Sequence, residues 1–423
     1  MRSAGRCRES IRVWLGKSSP VLIRFMKRIG TQIRGRGFPC SLDGEKLPDH
    51  VGPASEAVFS RSATKAAVPP MPEVEPMRLI YCDPNLRTNA GHFFAHCQGV
   101  VSGARSLGVQ TAVYTHQATD PSLTRAFGFQ PTFRLHSHTE TSADPLCGRL
   151  KSYLDVAKSL GEDLLGIPGI GRNDILLFDA AAPAAIAAVT HWMESRADTC
   201  PRVVVSLHDF VELEVARTPA GSLEARPVSA QSALYRLAGL SIPPAVASRL
   251  AFVTCYKGFA SVYSRLIRQT VHPVPHPFAA ATAPRSRAGK RPIVIGFIGA
   301  QQIRKGFGIV PELTRRLLSD SLPIEVCIHD CFGIMQSELE QLAKMAIIDN
   351  RISITNGAVD ATAWAQILDR CDLLVAPYDP RFFALNNSGV ISEAIANGIP
   401  IAVPAQTTLS DLLSDYGSPG VAF

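Results

Sequence analysis

The residues best equipped for chemistry fall in two short segments of the last third of the chain. Between Ile293 and Gly306 an apolar run ends in a glycine turn at Gly299 and then in a cationic pair, Arg304 and Lys305. Between Asn386 and Pro400 a Ser388-Gly389 turn precedes an apolar helix-forming stretch that carries Glu393. Paired cations beyond a glycine turn suit a diphosphate. The exposed amides and dipole of a helix start attract an anion by ~0.3 to 1 kcal/mol at an exposed site. A carboxylate one turn further in can accept hydrogen bonds from sugar hydroxyls beside that anion. The two segments together read as a site for a phosphorylated nucleotide. The simpler alternative for the first is an ordinary strand, loop and helix with a solvated Arg-Lys pair.

These side chains need elements to hold them. Ile293, Val294, Ile295, Phe297 and Ile298 form a near-continuous apolar run of strand length, as in a parallel strand covered on both faces. Gly296 and Gly299 allow close backbone approach, and ligands of open parallel sheets bind beyond the carboxyl ends of such strands. Residues 372–377 read as a second short buried strand, 378–387 as a loop and Ser388-Gly389 as a helix start. Gly398 and Pro400 stop that helix before a strand over Ile401–Val403.

The order of strand, glycine turn, Lys-Gly, strand, Pro-Tyr, loop, Ser-Gly, Glu-Ala and Gly-x-Pro resembles the carboxyl-terminal domain of family-four retaining glycosyltransferases of the GT-B fold, over residues 290–423. The resemblance implies two Rossmann-like α/β domains facing across a cleft. It also implies that Lys305 binds the donor diphosphate, Glu393 the ribose hydroxyls, and Gly299, Ser388 and Gly389 the phosphates by close approach or backbone amides. Three differences stand out. Ala300 follows Gly299 where the family has Arg, a role that falls to Arg304 if any residue takes it. Leu385 stands eight residues before Glu393, where the family commonly has a second Glu. Family members continue past the position of Phe423, so the carboxyl-terminal domain is expected to be a shortened one.

Earlier in the chain, residues 78–82 read as a strand, 83–90 as a polar loop, Gly91 as the start of a helix, and 111–115 as the next strand, a right-handed βαβ unit. The family resemblance places a glycine such as Gly91 near the donor phosphates and acceptor. His92 and His96, four apart on one helix face, lack the Glu of a zinc-protease motif and read more simply as core or surface histidines. Further strands are expected at 174–178, 203–207 and 250–254, with a buried helix over Ala180 to Val189. His208 follows the second of these, at a strand end facing the cleft. By the resemblance it is the catalytic candidate beside the transferred sugar, and the alternative is a histidine satisfying a loop carbonyl.

The expected organisation is a basic, low-order extension over 1–76, an acceptor domain over 77–278, a linker over 279–291 and a donor domain over 292–423. A chain of 423 residues, 46% hydrophobic and 19% charged, has the composition of a globular protein with room for two cores. Its net charge of +7 is confined to one end: residues 1–50 hold 11 basic and 4 acidic residues, leaving 32 of each in the remainder. A neutral body gives no support for nucleic acid as a partner. The basic and apolar residues between Ile11 and Arg28 suit peripheral contact with an anionic membrane, and a disordered tail is the alternative. No secretory signal or membrane span is read. The ten scattered cysteines suit reduced thiols in a cytoplasmic protein, at most peripheral at the inner membrane surface.

The chemistry expected is that of a hexosyltransferase. A sugar moves from a nucleoside-diphosphate sugar, which serves as co-substrate with no further cofactor, to a hydroxyl of a glycan or lipid-linked acceptor. The product would be a polysaccharide or related glycan. The absence of an Asp-x-Asp pair anywhere in the chain fits a reaction without metal, and the family resemblance implies retention of configuration. Two other readings remain open. One is a sugar-nucleotide epimerase of the same architecture, which needs further acid and base residues. The other is a transferase-like scaffold with weak or no catalysis.

Overall fold

A computed structural model describes residues 77–89, 91–144, 147–196, 199–208, 229–278, 292–319, 323–417 and 420–423, and the backbone of two further strands, 213–217 and 223–227. The expected extension over 1–76 and linker over 279–291 lie outside the described residues.

The chain builds two parallel sheets one after the other. The first contains β1 (Arg78–Asp83), β2 (Gln110–His116), β3 (Gln130–Phe133), β4 (Ile175–Ala181), β5 (Arg202–Leu207), β8 (Leu250–Thr254) and β9 (Val271–Pro273) in the order β3-β2-β1-β4-β5-β8-β9. The intervening β6 (Leu213–Arg217) and β7 (Leu223–Pro227) pair with each other as an antiparallel hairpin. The second sheet contains β10 (Ile293–Phe297), β11 (Ile324–Asp330), β12 (Ile352–Asn356), β13 (Leu373–Val375), β14 (Ile401–Val403) and β15 (Gly420–Ala422) in the order β12-β11-β10-β13-β14-β15. In both sheets the strand order reverses next to the first strand, between β1 and β4 and between β10 and β13. Open parallel sheets bind ligands in the crevice at such a reversal.

Each sheet is covered on both faces, which explains the continuous apolar runs of its central strands. In β1, Ile80 and Cys82 join one buried cluster with Trp192 and Tyr235, while Leu79 and Tyr81 join another with Phe94 and Val101. In β10, Val294 faces the cluster of Ile391 and Ile401, and Ile295 and Phe297 face that of Phe307 and Val326. Successive side chains of a strand point to opposite faces, so both must be apolar when both faces are covered. Gly296 is the gap in the run for a packing reason: a Cβ there would lie 2.5 Å from Leu374 Cδ2 and 2.6 Å from Cys371 Sγ.

Two helices matter for the site. Helix α1 (His92–Ser106) follows β1, with Gly91 at its N-cap in a positive-φ conformation of 81°. Helix α2 (Gly389–Ala396) follows the loop after β13, with Ser388 at its N-cap. The helix expected over Ala180 to Val189 is corrected: β4 runs on to Ala181, Ala180 takes a φ of 49°, and the helix spans Pro183–Ser195. Proline fixes the first helical position because its missing N–H costs nothing there.

Candidate active site

The β10 to β13 reversal gathers several of the residues read from the sequence. Gly299, with φ of 109°, is where a Cβ would meet Val390 Cγ2 at 2.9 Å and Lys305 Nζ at 4.0 Å. Lys305 ends a short 3₁₀ turn (Ile303–Lys305) and its Nζ lies 5.5 Å from the centre of the Tyr378 ring. Tyr378 Oη is in turn 3.4 Å from Ser388 Oγ. Gly306, with φ of 67°, fixes this turn against the neighbouring loop, since a Cβ there would sit 1.8 Å from the Pro377 carbonyl oxygen. Lys305, Gly299, Ser388 and the first turn of α2 therefore share one corner. The neighbouring Arg304 has its guanidinium 4.6 Å from the Phe382 ring centre and its Nε donating to Gln302.

Glu393 lies one turn along α2 from Val390, on the same side of the helix. Its Oε2 accepts a hydrogen bond from Trp364 Nε1 at 2.8 Å. Burial raises its pKa to about 7, against the opposing pull of that hydrogen bond. At the helix start the Ser388 amide donates to Asn387 Oδ1 at 2.7 Å, so it already has a partner within the protein.

Facing this corner is the carboxyl edge of the first sheet. A Cβ on Gly389 would lie 3.9 Å from His92 Cβ and 3.7 Å from Phe278 Cζ, so α2 begins against the other domain. Gly91, next to His92, has open space where a Cβ would stand.

Below this surface is a buried polar network that the sequence reading only touched. His208 does sit at the end of β5, but its side chain is only 6% exposed. Its Nε2 is 2.8 Å from Ser206 Oγ and 3.5 Å from Asp179 Oδ1. Asp179, on β4, also receives Tyr81 Oη at 2.5 Å and His96 Nδ1 at 2.5 Å. Cys255 Sγ, just past β8, lies 3.6 Å from His96 Nε2 and 3.7 Å from His208 Nε2. The His276 ring centre is 6.1 Å from that of His96 and 6.0 Å from that of His208. Burial lowers the His208 pKa to about 3, against the attraction of Asp179. Burial works to raise the Asp179 carboxyl, but the surrounding His96, His208 and Tyr81 outweigh it and hold the group below the usual carboxylate range.

His96 is thus a core histidine, and its neighbours are what the sequence did not reveal. Asp179 stands near the carboxyl end of β4 and Cys255 and His276 just beyond those of β8 and β9, the one signal that could have singled them out.

The domains touch directly. Leu385, in the position where the resembled family commonly has Glu, packs on the core cluster of the first domain. A Cβ on Gly258 would come within 2.7 Å of the Leu385 backbone. Asn387 Nδ2 donates to the Cys255 carbonyl at 3.4 Å, and Lys257 Nζ pairs with Asp415 at 2.6 Å. On the first domain a cavity of about 300 Å³ opens beside the start of the Pro183 helix, lined by Ser137, Glu140, Arg149, Tyr153 and Gln231 among others.

No family model matches the chain, and no curated protein matches it in sequence. Solved structures do resemble it. A glycosyltransferase from Rickettsia africae superimposes with a TM-score of 0.51 at 12% identity, over 82% of this chain and 85% of that one. The catalytic domain of starch synthase IV from Arabidopsis thaliana, bound to ADP and acarbose, gives 0.51 at 10% identity over 79% and 84%. The trehalose-6-phosphate phosphatase N-terminal domain of Candida albicans gives 0.51 at 11% identity over 82% and 88%. Two Rossmann-like domains facing across a cleft define the class: this is the GT-B fold. Among the described residues no helix is long and apolar enough to cross a membrane.

Proposed function

We propose that the protein is a glycosyltransferase moving a sugar from a nucleoside-diphosphate sugar to a hydroxyl of a glycan or lipid-linked acceptor, with retention of configuration. The observation that carries this reading is the corner at the β10 to β13 reversal, where the Lys305 ammonium, the close approach at Gly299 and the start of α2 converge opposite the first domain. Breaking the bond between sugar and phosphate leaves negative charge on a diphosphate, and a fixed ammonium beside helix amides stabilises it as it develops. In this reading Lys305 and the amides at Gly389 and Val390 hold the phosphates without a metal. Glu393, steadied by Trp364, receives the ribose hydroxyls. Gly91 leaves space for phosphate or acceptor, and the cavity beside Tyr153 receives part of the acceptor. His208 acts through its neighbours as a positioning residue, because its ring is enclosed by Ser206, Asp179 and Cys255. Arg304 borders the donor corner from its place on Phe382. The proposed domain limits are those given above, with the basic segment before residue 77 offering a peripheral membrane contact on the cytoplasmic side.

The test is turnover and binding with a panel of nucleotide sugars, comparing the native chain with Lys305→Ala and Glu393→Ala. Transfer that both substitutions leave untouched would defeat the assignment. A second reading, a scaffold with little or no catalysis, is favoured by Leu385 on the first domain's core and by the Ser388 amide donating to Asn387. It is the reading left standing if no nucleotide sugar of the panel binds.

A further inference from the structure

The proposed transfer makes no direct use of the thiol and imidazoles buried under the cleft floor. We propose that His96, His208 and Cys255 form a three-residue zinc(II) site, with Asp179 orienting His96. The donor atoms of the first three lie within 4.8 Å of one another.

The spacing fits the ion. Zinc bonds of about 2.3 Å to sulfur and about 2.0 Å to nitrogen, set at the tetrahedral angle, place sulfur and nitrogen about 3.5 Å apart. Cys255 Sγ stands 3.6 Å from His96 Nε2 and 3.7 Å from His208 Nε2. The orientation fits as well. His96 turns Nδ1 to the Asp179 carboxylate and Nε2 to the thiol, the arrangement in which a carboxylate fixes the tautomer of a metal-binding imidazole. The polar accounting leaves room for a further partner. Both ring nitrogens of neighbouring His276 are shielded from solvent with no hydrogen bond, and Asp179 Oδ1 has only His208 Nε2 at 3.5 Å; buried polar groups left so are uncommon.

Thiolate and imidazole together select zinc over magnesium or calcium. Binding draws His208 Nε2 away from Ser206 and releases the Cys255 proton to solvent. All the ligands come from the first domain: one from α1 and the others from beyond β5 and β8. The ion would therefore tie strand ends together beneath the cleft, away from the donor phosphates held by the second domain. The inference stands whether or not transfer is detected.

The experiment uses the full chain, free of any affinity tag, expressed with added zinc and dialysed before elemental analysis. The expected result is about one equivalent of zinc per chain in the native protein and a tenth of that or less in Cys255→Ser and His96→Gln. Replacing zinc by cobalt(II) should give a thiolate-to-cobalt charge-transfer band and the intense visible bands of a tetrahedral ion. The charge-transfer band should vanish in Cys255→Ser. If that variant fails to fold, the native cobalt titration alone decides. A folded native chain that holds neither zinc nor cobalt overturns the site, as does Cys255→Ser with native metal content and spectrum.

Discussion

Glu393 gives the sharpest test of the proposed donor site, because its ionisation changes within the range where enzymes are assayed. Its pKa is raised to about 7 by burial, so the carboxyl is mostly neutral at pH 6 and mostly ionised at pH 8. Only the ionised form presents acceptors alone to two ribose hydroxyls. If that form binds the donor and the neutral form does not, affinity improves about tenfold from pH 6 to pH 8, as expected for a group titrating midway. Hydrogen bonds to a charged group contribute ~1.5 to 3 kcal/mol, so Glu393→Gln should weaken binding about 10- to 150-fold at pH 8 and flatten the profile. Calorimetric titration with an intact nucleotide sugar, whose diphosphate does not titrate here, reads both effects. The same shift bears on folding. A carboxyl raised above its unfolded value of about 4.5 stabilises the fold fully below that pH, and the contribution is lost as pH rises through about 7. Glu393→Gln should therefore remove part of any loss of stability between pH 5 and 8, followed by denaturant midpoint. A pH-independent donor affinity in the native chain, or a Gln variant that binds as tightly at pH 8, would refute the assignment.

Other outcomes follow from the same geometry. Lys305→Ala should lower kcat at least 100-fold, about 3 kcal/mol of charge stabilisation, with a smaller change in KM, measured by steady-state transfer. Gly306→Ala forces a Cβ onto the Pro377 carbonyl oxygen from a left-handed backbone, and should cost about 2 kcal/mol or more in chemical denaturation. Gly308→Ala, where the added carbon meets nothing within 4 Å, should stay within about 0.5 kcal/mol of the native chain.

The sequence made some of this legible and hid the rest for a physical reason. β10 could be read because a strand covered on both faces must be apolar at nearly every position, and its one exception, Gly296, is explained by Leu374 and Cys371 pressing against it. The start of α2 could be read because Ser388-Gly389 breaks the preceding loop just before a helix-forming run. β3, with a proline and two polar residues in four and one buried position, and β15, exposed at all three, lack the apolar run of a covered strand. The network around Asp179 was hidden for another reason. His96 and Asp179 are 83 residues apart and His96 and Cys255 are 159 apart, so only the parallel packing of separate strand ends brings them together. The same holds for Leu385. In sequence it is an apolar residue where the resembled family commonly has Glu, and its place on the other domain follows from how the lobes meet.

That placement has an energetic consequence. Were the two lobes to part, the loop bearing Leu385 would lift from the first domain and wet a half-buried apolar side chain, at a fraction of the ~1.5 to 3 kcal/mol that a fully buried leucine would cost. The leucine is in that sense a greased latch, an apolar contact that favours the shut arrangement of the lobes. A glutamate at the same place would hydrate easily and leave the parted form without that cost.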